Sequence, residues 1–306
     1  MQKNLVSSVN SRALGMRGKA WFRALRLVAA PASLGPVAVG GLLPRATGGS
    51  FDWLLWGLAL LAVLLLHTAA NLWNDYYDFL SGLDHVGGAT GSGVLPEGLL
   101  APRQVLGAAW ACALLAGGIG CWLAWRSAGW ALLLLGMLGL FAARAYSAGP
   151  RSPKRHALGE LWVFLWMGPA MTGGAELVQT GGFSLLAVWV GLPFGFLTAL
   201  LMFLANARDL QDDQAVGLHT FAYWVWTHGG TWNNPIAWTA FFLLGAVYLL
   251  LGVPSGLPPL ARLPFLTLPL AAYLLRQVYR RRYAASIPLL ALLQLLFALL
   301  FALGLL

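Results

Sequence analysis

The stretch from Leu64 to Asp84, "LLLHTAANLWNDYYDFLSGLD", begins as an apolar helical run and ends in a group of acids. The chain as a whole is only 9% charged, so three carboxylates at one helix end need a reason. On a helix, the two asparagines and the first two aspartates are related by i+3, i+4 and i+7 and therefore share one face. These residues are Asn71, Asn74, Asp75 and Asp78.

The composition is that of a polytopic membrane protein. Of the 306 residues, 59% are hydrophobic, whereas soluble domains contain roughly 45–50% by a comparable count. The net charge of +9 does not indicate a nucleic-acid partner, because the basic residues lie between apolar spans, where they report orientation first. Cys112 and Cys121 share one apolar segment and are interpreted as small packing residues.

Apolar runs of roughly 20 residues predict an all-α integral membrane protein with nine transmembrane helices. We expect a tail at residues 1–20 and a single transmembrane domain at 21–306. Residues 218–234, "LHTFAYWVWTHGGTWNN", are aromatic but too polar for a span, and we interpret them as an interfacial segment. The predicted spans are 21–43, 53–79, 104–125, 129–147, 158–178, 184–206, 235–252, 262–279 and 286–305.

The basic residues orient this topology. Nine spans place 16 of the 19 Lys and Arg residues on the side of the N-terminus, and only Arg45, Arg126 and Arg262 on the other. The positive-inside rule therefore predicts a cytoplasmic N-terminus, in a membrane of the bacterial cytoplasmic type. Eight of the ten acids also fall on the cytoplasmic side, although acids contribute little to topology.

A second acidic cluster ends the sixth predicted span, "FLANARDLQDDQAVG". Asn206, Asp209 and Asp213 repeat the i+3 and i+7 pattern, whereas Asp212 is rotated off the stripe. Facing carboxylate clusters repel one another unless a cation lies between them, and Mg²⁺ typically binds one or two carboxylates together with substrate phosphates. The two clusters predict a pair of Mg²⁺ ions that hold a diphosphate, with Arg208 as a further phosphate contact.

Two other interpretations compete with this one. A single acid at a helix end is usually a cap or a solvated residue, but two matching clusters, each led by Asn, are hard to explain in that way. A transporter places its ionisable groups near mid-span, where His67 is the clearest polar residue here. We expect His67 to be a packed histidine.

The first cluster, "NDYYDFLSGLD" (Asn74 to Asp84), resembles the first aspartate-rich motif of the UbiA superfamily of intramembrane prenyltransferases. Its N-D-x-x-D and G-x-D pattern is most similar to the branch that prenylates 1,4-dihydroxy-2-naphthoate for menaquinone synthesis. "NARDLQDD" (Asn206 to Asp213) resembles the second motif of that branch. Shorter matches, "PASLGPVAVG", "GSGVLPEGLLAPRQV", "AYSAGP" and "ALGELWVFLWMGP", extend the resemblance over about residues 21–220.

The resemblance implies a bundle around a central cavity open to the lipid, in which Mg²⁺ and both motifs bind a polyprenyl diphosphate. Ionisation gives an allylic carbocation, which an aromatic acceptor attacks. The implied metal ligands are Asn74, Asp75, Asp78, Asp84, Asp209 and Asp213. The implied catalytic residues are Asp75, Asp78, Asp209, Asp213 and Tyr146. The expected substrate-binding residues are Asn71, Asn74, Asn206, Arg208, Arg144 and Lys154.

The chain departs from this pattern after the second motif. Leu218 replaces the usual Lys, and aromatic residues replace a basic run. Ala29 stands where Thr is common in the first helix. Ionisation remains expected because both motifs persist, but the acceptor stays open between an aromatic quinone precursor, a non-quinone acceptor and cyclisation without an acceptor. A transporter or binding protein is the remaining alternative.

Overall fold

The computed structural model describes residues 18–85, 91–149, 152–215, 217–230, 233–252, 254 and 256–306. Within these ranges the chain is helical and has no strand. Most of the predicted N-terminal tail lies outside the described residues. The helices are α1 (Gly18–Ala29), α2 (Pro31–Ala46), α3 (Trp53–Leu80), α4 (Pro102–Ser127), α5 (Gly129–Ala145), α6 (Gly159–Leu165), α7 (Met171–Thr180), α8 (Leu185–Arg208), α9 (Leu210–Ala215), α10 (Phe221–His228), α11 (Pro235–Gly252), α12 (Leu268–Tyr279) and α13 (Tyr283–Leu305).

Five of the described helices, α3, α4, α8, α11 and α13, are long and apolar enough to cross a membrane. The bent pair α1–α2 makes a sixth if it is one span. Helical residues also cover the other three predicted intervals, as the 17-residue α5, α6 with α7, and a 3₁₀ segment with α12. The count of nine spans and their orientation stay predictions.

The first span bends by 48° between α1 and α2. Arg26 adopts a left-handed conformation with φ of 47° and ψ of 41°, which costs about 1–3 kcal/mol for a non-glycine residue. Residues Leu27–Ala29 form a single 3₁₀ turn before Pro31 begins α2. The bend gives α1 a direction different from that of α2 and carries Arg26 to the end of α3.

The main core joins α2, α8, α11, α12 and α13. Phe194 of α8 packs edge-on against Phe297 of α13, with ring centroids 5.4 Å apart. A second core joins α3 to α4 around Trp73, which is 1% exposed. Many large apolar side chains remain outward, including Trp125 and Trp130 at the α4–α5 junction. An outward apolar surface with tryptophans at helix ends is typical of a lipid-facing bundle.

Glycines let α8 approach the π-helical turn Trp166–Ala170 that joins α6 to α7. A Cβ at Gly191 would lie 2.7 Å from Pro169 Cα and 2.9 Å from the Gly168 carbonyl carbon. Small residues at helix contacts permit backbone approach, which stabilises helix pairs in lipid. The contact holds the α6–α7 segment against α8.

The aromatic segment after the second motif contains α10, whose first turn is capped by Thr220. Phe221 stacks on Trp224, and Trp224 stacks on His228. Trp224 and Trp226 are both more than half exposed. A short helix with outward Trp side chains is consistent with the predicted interfacial segment.

We predict that Gly191→Ala destabilises the fold by about 1–3 kcal/mol, because the new methyl group overlaps backbone atoms that cannot move independently. Gly245→Ala in α11 is the matched control, since a Cβ there meets nothing within 4 Å. Thermal unfolding of the purified protein in detergent measures both. Equal unfolding temperatures for the two variants would contradict the proposed close contact.

Candidate active site

The first acidic motif lies at the end of α3, where Asp75 and Asp78 are buried. The helix ends at Leu80 with Ser81 as its C-cap, and Gly82 then adopts a φ of +74° that reverses the chain. The amides of Leu83 and Asp84 then both donate to the Asp78 carbonyl oxygen, at 3.0 and 3.2 Å. This turn returns Asp84, which is 5% exposed, towards the helix end.

The second motif lies where α8 gives way to α9. Asp209 separates the two helices, and the amide of Asp213 donates to its carbonyl oxygen at 2.9 Å. Asp209 and Asp213 are buried, whereas Asp212 is exposed. As the i+4 spacing predicts, Asp209 and Asp213 lie on one buried face, and Asp212 lies off that face.

Basic side chains neutralise three of the five buried aspartates of the two motifs. Arg26 contacts Asp75 through its guanidinium. Lys154 Nζ lies 2.7 Å from Asp78 Oδ2. Arg208 binds Asp209 in a bidentate pair, with Nε–Oδ1 and Nη2–Oδ2 both at 2.6 Å.

Two further carboxylates have unpartnered oxygens among the described residues: both oxygens of Asp84 and Oδ2 of Asp213. Burial, with the charges of Asp75 and Asp78 adding to it, raises the pKa of Asp84 to about 6. Burial and then the charge of Asp209 raise the pKa of Asp213 to about 7. Buried carboxylate oxygens without donors favour a bound cation.

A cavity of about 350 Å³ opens beside the motifs. Three arginines from α1 and α8 contribute to its wall, together with apolar residues of α8 and α13. Ser92 also lines it and donates its Oγ to Asp75 Oδ2 at 2.5 Å. A cationic wall next to acidic motifs suits a diphosphate with its counter-cations. The lining residues are Arg23, Arg26, Gly91, Ser92, Leu201, Ala205, Arg208 and Ile287.

The residues present fit a divalent cation in part. Asp84 and Asp213 offer oxygen ligands, and a Cβ at Gly91 would lie only 2.6 Å from Asp84 Oδ2, so that glycine leaves space at the carboxylate. In the described part of the chain, however, no three His, Cys, Asp or Glu side chains converge on one point. A metal held here needs additional oxygen ligands, which is the usual arrangement for Mg²⁺ with substrate phosphates.

The other expected residues are distributed around this centre. Asn74 accepts a hydrogen bond from Ser147 Oγ at 2.6 Å. Asn206 donates to Glu160 Oε1 at 2.8 Å. Asn71 Nδ2 is shielded from solvent and has no partner among the described residues.

Tyr146 donates its hydroxyl to Met202 Sδ at 3.1 Å, which places the phenol against α8. Arg144 is exposed and lies over the Tyr77 ring, 5.7 Å from its centroid, and no ion pair joins it to the described acids. The structure thus brings Lys154 to a carboxylate of the first motif and Arg144 to the Tyr77 ring of the same motif.

Several site residues were not predicted from the sequence. Arg23 bridges the Ser92 carbonyl and Glu97 at 2.8 and 2.7 Å, and so fastens residues 92–97 to α1. Glu160 holds the amide of Asn206. The contact of Arg26 with Asp75 was not predicted either, because a separation of 49 residues gives no local signal.

The similarity to known proteins extends over most of the chain. A family model described as "UbiA prenyltransferase family" matches residues 33–301. "UbiA prenyltransferase domain-containing protein 1" of Danio rerio is 32% identical over 289 residues, covering 92% of this chain and 83% of the relative. "1,4-Dihydroxy-2-naphthoate octaprenyltransferase" of Bacillus subtilis (strain 168) is 28% identical over 194 residues, covering 62% of this chain and 61% of the relative.

The fold is also shared with solved structures. A UbiA homolog from Aeropyrum pernix K1 superposes with a TM-score of 0.73 at 20% identity, covering 90% of this chain and 98% of the homolog. A UbiA homolog from Archaeoglobus fulgidus, described as bound to GPP and Mg²⁺, gives a TM-score of 0.58 at 17% identity, covering 93% and 98%.

These matches do not single out the naphthoate branch that the G-x-D pattern indicates, since the match to Danio rerio is both longer and more identical. They agree with the apolar helices in indicating a multi-pass membrane protein. The family model covers far more than half of the sequence. The chain therefore belongs to the UbiA prenyltransferase family and is a prenyltransferase.

Proposed function

We propose that this protein transfers a polyprenyl group from a polyprenyl diphosphate to an aromatic acceptor in a Mg²⁺-dependent reaction. The observation that carries this proposal is a cavity walled by Arg23, Arg26 and Arg208 next to two buried acidic motifs. A diphosphate needs positive charge around it and metal-coordinating carboxylates within reach. The resemblance of both motifs to those of the family supports the same assignment.

The metal ligands in this proposal come from both helix ends. Asn74, Asp75, Asp78 and Asp84 form one half, and Asp209 and Asp213 form the other, and together we expect them to hold two Mg²⁺ ions. When bound, Mg²⁺ would neutralise the diphosphate and stabilise its negative charge on departure. The Archaeoglobus fulgidus homolog, which is described as bound to GPP and Mg²⁺, supports this cofactor.

The chain's own residues complete the reaction site. Arg208 and Arg26 lie in the cavity wall and can donate to phosphate oxygens, and Lys154 can do so from the first motif. Tyr146 presents an aromatic ring, whose face attracts a cation such as the allylic carbocation. Leu201, Ala205 and Ile287 give the cavity an apolar wall, and such a wall limits the water that would otherwise quench that cation.

The acceptor we favour is 1,4-dihydroxy-2-naphthoate or a similar quinone precursor. The G-x-D ending at Gly82 and Asp84 supports it, as does the name of the Bacillus subtilis relative. The charge asymmetry of the loops supports a site facing the cytoplasm, in a membrane of the bacterial cytoplasmic type.

A non-quinone acceptor, or cyclisation of the prenyl chain, is the second candidate. Leu218, which stands where a Lys is usual, is 2% exposed. The chain then continues into the aromatic helix α10 instead of a basic loop. An apolar closure of this kind favours a less polar acceptor than a naphthoate.

We expect Asp75→Asn and Asp209→Asn to lower Mg²⁺-dependent release of diphosphate by at least about 100-fold, a loss typical for removal of one group that stabilises developing charge. Asp212→Asn is the control, because Asp212 belongs to the same motif but is exposed. A diphosphate-release assay with geranylgeranyl diphosphate and 1,4-dihydroxy-2-naphthoate measures all three. Normal turnover by either buried variant would refute the two-motif site.

The acceptor is tested by incubating the protein with Mg²⁺ and labelled geranylgeranyl diphosphate, with and without 1,4-dihydroxy-2-naphthoate. We expect a prenylated naphthalene and diphosphate release only when the acceptor is present. A cyclic hydrocarbon without acceptor would support the second candidate instead. No Mg²⁺-dependent turnover with prenyl diphosphates of any length would exclude both.

Comparing substitutions of Lys154 and Arg155 distinguishes a residue that contacts the substrate from one whose charge only orients the loop in the membrane. We predict that Lys154→Met lowers kcat/KM for the prenyl diphosphate by about tenfold or more, because a charged hydrogen bond contributes about 1.5–3 kcal/mol. Arg155→Met should change it by less than about twofold, since no ion pair with the described acids involves Arg155. Equal effects of the two substitutions would mean that Lys154 acts only through loop charge.

A further inference from the structure

A row of polar side chains continues from the first motif into the interior of the bundle. His67, Asn71 and Asp75 are spaced by four residues and therefore follow one another on the same face of α3. At a rise of about 1.5 Å per residue, Asn71 lies about 6 Å and His67 about 12 Å along the helix from Asp75. The diphosphate site is at the Asp75 end, so the other two residues lie deeper among the helices.

His67 and Asn71 each have a side-chain nitrogen without a hydrogen-bond partner among the described residues. Ser33 Oγ of α2 lies 2.6 Å from His67 Nδ1. His67 Nε2 and Asn71 Nδ2 are both shielded from solvent and have no hydrogen-bond partner among the described residues. A buried polar group without a partner costs about 1–3 kcal/mol, and a simple packing role for His67 does not account for two such atoms one helical turn apart.

Ser33 orients the imidazole ring of His67. The Ser33 hydroxyl is hydrogen-bonded to Nδ1, and this bond fixes the plane of the imidazole. Nε2 is then the ring nitrogen that remains for a ligand. Nε2 is a donor or an acceptor according to the tautomer. A ligand hydroxyl can match either tautomer, and its oxygen can also accept from the amide of Asn71.

Among the substrates of the proposed reaction, only the acceptor can supply this hydroxyl. The diphosphate is held at the cationic wall, and the prenyl chain has no hydrogen-bonding atoms. Arg26 contacts Asp75 and lines the cavity, and Asn71 and His67 follow Asp75 on the same face of α3. Asn71 therefore lies about one helical turn, and His67 about two turns, beyond the phosphate end of the site.

We propose that His67 and Asn71 bind a ring hydroxyl of the aromatic acceptor, and that Ser33 orients His67 for this contact. The proposal rests on the proposed transfer to an aromatic acceptor. It makes His67 a specificity-determining residue: it selects acceptors with a hydroxyl directed towards α3 and holds the attacked carbon next to the prenyl group. An acceptor whose hydroxyl is blocked loses this contact.

The test uses the full chain in detergent or nanodiscs, with His67→Phe, which keeps an aromatic ring without nitrogens, and Asn71→Leu. Thr68→Val is the control, because Thr68 is buried next to His67 but donates only within its own helix, to the Leu64 carbonyl oxygen at 2.8 Å. Two properties are measured for each protein. The first is Mg²⁺-dependent binding of unreactive farnesyl thiolodiphosphate, and the second is KM for 1,4-dihydroxy-2-naphthoate and for its two monomethyl ethers.

We expect His67→Phe and Asn71→Leu each to raise the acceptor KM by about tenfold, the loss of one hydrogen bond, with thiolodiphosphate affinity unchanged. In the wild-type protein one of the two ethers should show a similar rise. That ether should show little further rise in His67→Phe, because both changes remove the same contact. Thr68→Val should behave as wild type with every ligand.

Three results would overturn the proposal. If His67→Phe leaves the acceptor KM unchanged while the wild type prenylates the naphthoate, only the hydroxyl contact is wrong and the proposed function stands. If His67→Phe weakens thiolodiphosphate binding equally, His67 supports the fold or the phosphate site. If the wild type binds thiolodiphosphate but prenylates no hydroxylated aromatic compound, the proposed acceptor class fails and this contact fails with it.

Discussion

The charge balance between buried acids and the bases that reach them is the constraint on which the site depends. Asp75, Asp78 and Asp209 are almost inaccessible to solvent, and each is bound by a different basic residue. Removing one partner from such a pair typically costs about 3–5 kcal/mol, because the remaining charge stays buried. These ion pairs therefore fix the positions of Arg26, Lys154 and Arg208 at the ends of the two acidic helices.

The bend of the first span illustrates the consequence. Arg26 occupies a strained left-handed conformation, and its guanidinium lies on Asp75. Ser92 binds the same carboxylate, while Arg23 holds the Ser92 carbonyl and Glu97. Strain at Arg26 is thus offset by contacts that bring α1 and residues 92–97 over the end of α3. These same groups form one wall of the cavity, so neutralising the acids also shapes the substrate site.

Much of this organisation could be predicted from the sequence, because helical periodicity is a local property. The shared face of Asn71, Asn74, Asp75 and Asp78 and the outward rotation of Asp212 follow from spacing alone. Which basic residue pairs with Asp75 and which with Asp78 does not follow from spacing, because the partners are far apart in the sequence. Lys154 is 76 residues from Asp78, and its sequence position predicted a substrate contact but did not indicate which carboxylate it pairs with.

Arg144 lies on the face of Tyr77 within the first motif, and its role as a substrate contact stays a prediction. His67 was expected to be an ordinary packed residue, and only coordinates reveal that its second nitrogen lacks a partner among the described residues. Conversely, a short apolar helix such as α5 cannot be established as a span by length and composition, so the topology still depends on the charge asymmetry of the loops.

We propose that the two acidic motifs form one site only when a metal–diphosphate complex joins them. No three acidic, His or Cys side chains of the described chain converge to bind a metal alone. Electron paramagnetic resonance with Mn²⁺ in place of Mg²⁺ tests this directly by counting bound ions with and without farnesyl thiolodiphosphate. We predict weak Mn²⁺ binding to the protein alone and two bound ions per chain with the thiolodiphosphate. Tight Mn²⁺ binding without it, or thiolodiphosphate binding that does not require the metal, would contradict the account.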